Sequence, residues 1–426
     1  MIWLLLLLFA LLVLIRVPIA FALGIACAVA MVFLSDVPLA AITHKMVNGI
    51  DSYIFLAIPL FILAGMLMNA GGITDRLFRF ARVLVGSIPG GLGHANIFAS
   101  MLFSWMSGSA VATAGGLGEI EVKAMKENGY DLPFAESVAT IGSILGPIIP
   151  PSIPLIIYAA MTEESLGKLF LGGILPGLLI GFSLMVTIYV MARMRGYPRD
   201  ERASFRIILQ AGREALIPIL MPVIMLGGII SGVFTPTEAA AVAAAYALVI
   251  SLFFYRTVSI PELPRIFVKT MVTTAVVTFI ISTTAVFSML LSFEEAGTHI
   301  AELVLGLTKS KYLVLLIINI LLLVLGAIME AGVVLILFIP ILYPLALSLG
   351  IDPIHFGVIL CVNLMIGVAT PPVGMSLFVM SHISKVKVEV LMWAILPFLI
   401  PILICLLIIT YVPEISTALP DLLMQS

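Results

Sequence analysis

The stretch "GPIIPPSIP" (146–154) places four prolines in nine positions of a strongly apolar chain, and "GVATPPVGM" (367–375) repeats the pattern far downstream. Proline lacks the N–H of a helical hydrogen bond and clashes with the carbonyl one turn back, so such a cluster ends one half-helix and starts another. One cluster is explained equally well as a packing kink. Two clusters in matching surroundings read as built breaks.

The chain around them is 62% hydrophobic and only 10% charged over 426 residues, with a mean hydropathy of +1.25. Soluble domains run nearer half apolar and a quarter charged. Apolar runs of about twenty residues recur along the whole length, each enough to cross roughly 30 Å of hydrocarbon as a helix. These features define an all-α polytopic membrane protein embedded in a lipid bilayer. The longest polar stretch is "RMRGYPRDERASFR" (193–206), which leaves no room for a soluble domain. A net charge of −2 offers nothing to nucleic acid. Cys27, Cys361 and Cys405 all lie in apolar runs and read as buried, unpaired thiols. The N-terminal "MIWLLLLLFALLVLIRVP" has no basic n-region and no A-x-A site, so it reads as a first span and not as a removed signal peptide.

Polar punctuation places spans near 2–15, 18–34, 52–69, 133–160, 170–192, 214–231, 236–256, 270–291, 353–382 and 389–412. Two further stretches, 92–125 and 311–348, are interrupted midway by "SGSAVATAGG" (107–116) and "GAIMEAGVV" (326–334). Both read as re-entrant hairpins, whose tips must face protein or water because lipid cannot satisfy irregular backbone. With the N-terminus outside, basic residues favour the cytoplasmic side by about four to one, as the positive-inside rule requires.

A shift of 221 positions carries Gly146 onto Gly367, Pro150-Pro151 onto Pro371-Pro372, Asp131 onto Asp352, Leu175-Pro176 onto Leu396-Pro397, and Ser109 onto Glu330. Near-identical offsets at so many landmarks indicate a duplication. The halves are 1–213, with hairpin 92–125 and broken helix 133–160, and 214–426, with hairpin 311–348 and broken helix 353–382. Each half has an odd number of crossings, so the second is inverted relative to the first. Inverted repeats with paired broken helices are the architecture of secondary transporters, with the site near the midplane.

Carbonyls freed at a break suit Na⁺, and the N–H groups of the following half-helix favour an anion. Apart from Arg256, which closes one span, no Lys or Arg falls inside the spans as bounded above. Glu330 is the deep carboxylate, read as either a polar site residue or a helix cap. Glu238 in "FTPTEAAA" reads as part of a helix cap with Thr235. Asn363 serves equally as ligand or as packing. The five histidines have no zinc spacing. H-E-x-x-H, a P-loop and intramembrane protease motifs are all missing, so an enzyme is not expected.

Beyond these readings, "IPLFILAGMLMNAGGITDRLFRFARVLVG" (58–86), "SGSAVATAGGLG" (107–118), "GGIISGVFTPTEAAAVA" (227–243) and "GIDPIHFGVILCVNLMIGVATPPVG" (350–374) resemble the large membrane subunit of tripartite ATP-independent periplasmic (TRAP) transporters, and the likeness runs end to end. The resemblance implies an elevator-type carrier of the ion transporter superfamily in the bacterial inner membrane, with interleaved scaffold and transport domains. It implies a small four-helix membrane subunit and a periplasmic substrate-binding protein as partners, Na⁺ as coupling ion, and a small organic anion (dicarboxylate, sialic acid or sugar acid) as cargo. Na⁺ would lie at Ser107, Ser109, Gly146 and Pro150, and at Glu330, Gly367 and Thr370. Candidate substrate contacts are Ser107, Ser109, Thr113, Ser152, Glu330, Asn363 and Gly374. The amphipathic arms 73–86 and 297–309 would link scaffold to mobile domain. The chain departs from many relatives at Thr113 and Met66, where they carry acidic residues, and at Glu330, where they carry Asp. A stand-alone Na⁺–organic anion symporter, or a channel-forming subunit, would share many of these features.

Overall fold

The computed structural model of the protein describes residues 2–15, 17–34, 38, 40–294, 306, 308, 310–371 and 374–424, and among these every regular element is helical. The chain opens with α1 (Ile2–Leu14), α2 (Ile19–Leu34), a short α3 (Ala40–Asn48), α4 (Ala57–Ala70) and the amphipathic arm α5 (Ile73–Val85). The first hairpin runs in through α6 (Gly91–Ser107) and out through α7 (Ala110–Gly116) and α8 (Gly118–Glu127). The first broken helix is α9 (Leu132–Ser143) and α10 (Ile153–Thr162), followed by α11 (Leu166–Arg195), α12 (Phe205–Ile230), α13 (Pro236–Val249) and α14 (Leu263–Phe293). The second hairpin is α15 (Lys311–Ile328) and α16 (Ala331–Ser348), and the second broken helix is α17 (Pro353–Val368) and α18 (Met375–Ser384). α19 (Val388–Tyr411) and a short α20 (Glu414–Leu423) close the chain.

Helix interruptions fall inside each of the four stretches that the sequence reads as hairpins or broken helices, and the two limbs of the second hairpin, 18 residues each, are both long and apolar enough to cross a membrane. The shift of 221 also aligns whole elements: α16 spans the same register as α7 plus α8, and α17 starts in register with α9. Both broken helices begin on the same device. Asp131 accepts the Phe134 amide at 3.2 Å, Asp352 accepts the His355 amide at 2.9 Å, and a proline sits in the first turn of each, where its missing N–H costs nothing. Among the described residues, eight helical segments are long and apolar enough to cross a membrane. The halves of the first broken helix, 12 and 10 residues, are too short to cross singly at about 1.5 Å per residue.

Helix contacts fall into two groups. In one, α2 packs on α14, and α4 on both α13 and α14, with α12 and α5 alongside. The α4–α13 contact is close because "EAAAVAAAYA" buries Ala239, Ala240, Ala243, Ala244 and Ala247, and small residues let helix backbones approach. The other group gathers α6, α9, α10, α11 and α15–α20. Contacts of α4 and α5 with α6, and of α14 with α16, join the two.

Some boundaries move. The helix expected over 270–291 starts at Leu263, after a capping box in which Ser259 and Glu262 satisfy each other's backbone amides. The arm α5 is tied to the polar stretch 193–206: Arg82 binds Asp200 through two bonds of 2.7 and 3.0 Å, and Arg79 pairs with Glu214 of α12. The second arm, 297–309, lies almost wholly outside the described residues, as do Arg16 and Pro372.

Candidate functional site

Each hairpin tip meets its own break. Gly108 turns the first tip in the left-handed region (φ +61°), and a Cβ there would stand 3.0 Å from the Pro151 carbonyl. Glycine is the residue that both the conformation and the close approach allow. A Cβ on Gly146 would stand 2.6 Å from Thr113 Oγ1 and 3.2 Å from the Ser109 carbonyl. Thr113 itself donates its hydroxyl to Ser109 O at 2.9 Å. The first tip–break pair therefore joins Gly108, Ser109, Thr113, Gly146 and Pro151 in direct contact, with Pro150 joined to Pro151 by a cis peptide bond. Ser107 closes α6, and its side chain lies outside the described residues.

The second pair is made the same way. A Cβ on Gly367 would stand 2.8 Å from the Gly326 backbone and 3.1 Å from Ala327 N, and Gly374 N donates to Ala327 O at 2.9 Å. Thr370 donates its hydroxyl to Ile366 O at 2.7 Å, which leaves oxygen lone pairs available. Glu330 is the N-cap of α16, and its carboxylate folds back over Gly332 toward the amides of Gly332 and Val333. Hydroxyls, carbonyls and one carboxylate form a donor set of oxygen alone, which suits a hard cation.

Two of the sequence candidates, Ser152 and Asn363, make hydrogen bonds within the helix packing, and Asn363 Oδ1 is buried without a partner among the described residues. Ser152 caps α10, accepting the Leu155 amide at 3.3 Å and donating to the Pro147 carbonyl across the break, 3.7 Å from Cys361 Sγ. It holds the shape of the break. Asn363 donates to Asn319 Oδ1 at 2.8 Å and to Asn319 O at 3.1 Å, and Asn319 passes the chain to Thr410 at 2.9 Å. That network links α15, α17 and α19 within the helix packing.

One cavity of about 540 Å³ unites the pieces. Its wall includes Gly108 and Ser109 of one tip, Glu330 and Gly332 of the other, Pro147 beside the first break and Val368 beside the second. The facing wall comes from α4, with Met66 and Asn69, and from α14, with Lys269 and Thr273. Met66 and Thr113, both singled out in the sequence, thus separate in space. Met66 lines the cavity, 3.3 Å from Thr270 Oγ1, while Thr113 is buried behind the tip against Gly146.

The α4 and α14 wall escapes sequence reasoning. Hydropathy starts the span at 270 and leaves Lys269 on the cytoplasmic side, but α14 carries it inside the helix. The signal that could have found it is "SIPE" (259–262), an S-x-x-E capping box seven residues upstream of Lys269.

An all-helical membrane bundle whose paired hairpin tips and helix breaks converge on one cavity is the fold of a multi-pass transporter. The crystal structure of the Alcanivorax borkumensis YdaH transporter shares it, with a TM-score of 0.63 at 12% identity over 95% of this chain and 97% of that one. Residues 6–415 match the family model of the tripartite ATP-independent periplasmic transporter, DctM component, and the chain belongs to that family. It is 42% identical to the sialic acid TRAP transporter large permease protein SiaM of Vibrio cholerae, over 95% of both chains. It is 43% identical to the C4-dicarboxylate TRAP transporter large permease protein DctM of Pseudomonas aeruginosa, again over 95% of both. The chain is thus a TRAP transporter large permease of the bacterial inner membrane and not an enzyme.

Proposed function

We propose that this permease carries out Na⁺-coupled uptake of an organic acid, of the dicarboxylate, sialic acid or sugar-acid type, by an elevator movement. The cargo is delivered by a periplasmic substrate-binding protein, and a small four-helix membrane subunit completes the complex. Na⁺ binds at the two tip–break pairs, through Ser107, Ser109, Gly146 and Pro150 on one side and Glu330, Gly367 and Thr370 on the other. The halves 1–213 and 214–426 act as inverted repeats, so the two ion sites flank one cargo site.

The observation that carries this reading is the single cavity bounded by both tips and both breaks, with oxygen donors alone at the tip–break contacts. An ion at each contact closes tip onto break and organises the wall against which the cargo sits. The helix group holding both hairpins then moves against the group holding α4 and α14. The names of the relatives, one a sialic acid and one a C4-dicarboxylate permease, support an organic acid as cargo.

The test is reconstitution in liposomes with the small membrane subunit, measuring uptake of labelled succinate and N-acetylneuraminate under an inward Na⁺ gradient, with and without the binding protein. The expected result is uptake that requires both. Na⁺-driven uptake without the binding protein overturns the tripartite reading in favour of a stand-alone symporter. Non-saturable flux indifferent to Na⁺ overturns the carrier mechanism altogether.

A further inference from the structure

We infer that Lys269, on the α14 wall of the cavity, is the counter-charge that holds the anionic group of the cargo when the hairpins face it. The inference rests on the organic-anion reading above and names the residue of this chain that answers the cargo's charge.

Lys269 lies at the edge of the cavity stripe of α14. Lys269, Thr273, Val277 and Ile280 recur at helical spacing and all line the cavity. The neighbouring stripe, Val268, Val272 and Val276, is exposed apolar surface. Val272 and Val276 also lie within about 60° of Lys269 on the helical wheel, so the lysine stands at the border of the two stripes, exposed and reaching the cavity with its long stem.

The other charge on the wall is folded back on its own helix. Among the described residues Glu330 is the acidic side chain lining the cavity, and its carboxylate lies over Gly332. No ion pair joins it, or any other carboxylate, to Lys269 among the described residues. On the same wall, Asn69 uses its Oδ1 to accept the Thr74 hydroxyl at 3.2 Å, so the donor end of its amide remains for a ligand. Thr273 gives its hydroxyl proton to Lys269 O at 3.0 Å. Across the gap the outgoing limb of the first hairpin offers Gly115 and Gly116, and no atom comes within 4 Å of where a Cβ on Gly115 would stand. A cationic donor and an amide donor thus line the same cavity, the amide packed close to Gly116 and open space beside Gly115. Those donors suit a carboxylate.

Lys269 belongs to the helix group of α4 and α14, whereas both tips belong to the other group. The anion therefore meets this lysine only in the arrangement where the hairpins stand opposite α14, so Lys269 acts on one face of the transport cycle.

The experiment measures equilibrium binding of labelled succinate and N-acetylneuraminate to the membrane complex in nanodiscs at saturating Na⁺. It compares wild type, Lys269→Gln and Lys269→Arg, with uptake measured on the same preparations. For the probe that wild type carries, Lys269→Gln should raise Kd and the half-saturating concentration by about tenfold or more, the scale of one lost charge-assisted hydrogen bond. Na⁺ dependence should stay unchanged, and Lys269→Arg should remain within about threefold of wild type. Wild-type affinity in Lys269→Gln overturns the inference while leaving the function intact. Equal damage by both substitutions, with loss of Na⁺ dependence, also overturns it, because the lysine is then structural. A wild type that carries neither anion overturns the organic-acid reading, and the inference falls with it.

Discussion

Gly367→Ala should uncouple the second hairpin tip from its break. The added methyl would stand 2.8 Å from both Cα and C of Gly326 and 3.1 Å from Ala327 N, all backbone atoms of α15. Neither helix can yield locally. Gly326 is itself confined, since a Cβ there would meet the Leu364 carbonyl at 3.2 Å, and Gly374 N is bonded to Ala327 O. Overpacking of a tight contact costs about 1–3 kcal/mol, which at ~1.4 kcal/mol per decade depopulates the closed tip by roughly 5- to 150-fold. The cost falls on the second tip–break contact, proposed above to bind Na⁺ with Thr370, so the loss should appear as a weakened Na⁺ response. Uptake in proteoliposomes, titrated with Na⁺, should show the half-activating concentration raised at least fivefold while the protein remains monodisperse. Gly227→Ala is the control. No atom lies within 4 Å of where its Cβ would stand in α12, so there the change gains about 0.5–1 kcal/mol of helix stability and leaves transport alone. If Gly367→Ala matched wild type in its Na⁺ titration, the second tip–break contact would have no part in ion coupling.

Other predictions separate site from scaffold. Ser109→Ala together with Thr370→Val should abolish Na⁺-driven uptake while membrane insertion, read by protease protection, stays normal; undiminished uptake would remove the paired-site account. Asn319→Ala strands the amide of Asn363 and frees Thr410, so the melting temperature should fall by an amount equivalent to about 1–2 kcal/mol, with the Na⁺ titration unchanged. A shifted Na⁺ titration would instead make Asn363 a site residue. Arg82→Gln breaks a pair whose side chains are a third exposed, so scanning calorimetry should register no more than about 1 kcal/mol, shrinking further in high salt. Cys27, Cys361 and Cys405 are all buried, and a maleimide should label them only after denaturation; rapid labelling of the native protein would contradict the packing around α2, α17 and α19.

Much of this protein is written locally in its chain. Proline clusters at 147–154 and 371–372 cannot continue a helix, so the breaks follow from covalent chemistry. Asp131 and Asp352 cap the helices that lead into them through bonds made within three residues, and apolar length fixes the crossings. The meeting of tip with break, Ser109 against Gly146 and Gly326 against Gly367, was foreshadowed because a duplicated sequence repeats its landmarks at one offset. The contact of Asn363 was not. It depends on Asn319, 44 residues away, and no local spacing encodes that. Lys269 and Asn69 became cavity residues only through tertiary packing. Two helices far apart in sequence were brought to one wall by alanine-lined contacts with α13 and by the approach of α14 to α4. The sequence alone determined which segments form apolar helices and where they break, because those are properties of backbone and solvent. Which side chains share the cavity was decided by the packing of those segments, because that depends on the shape of surfaces meeting across the fold.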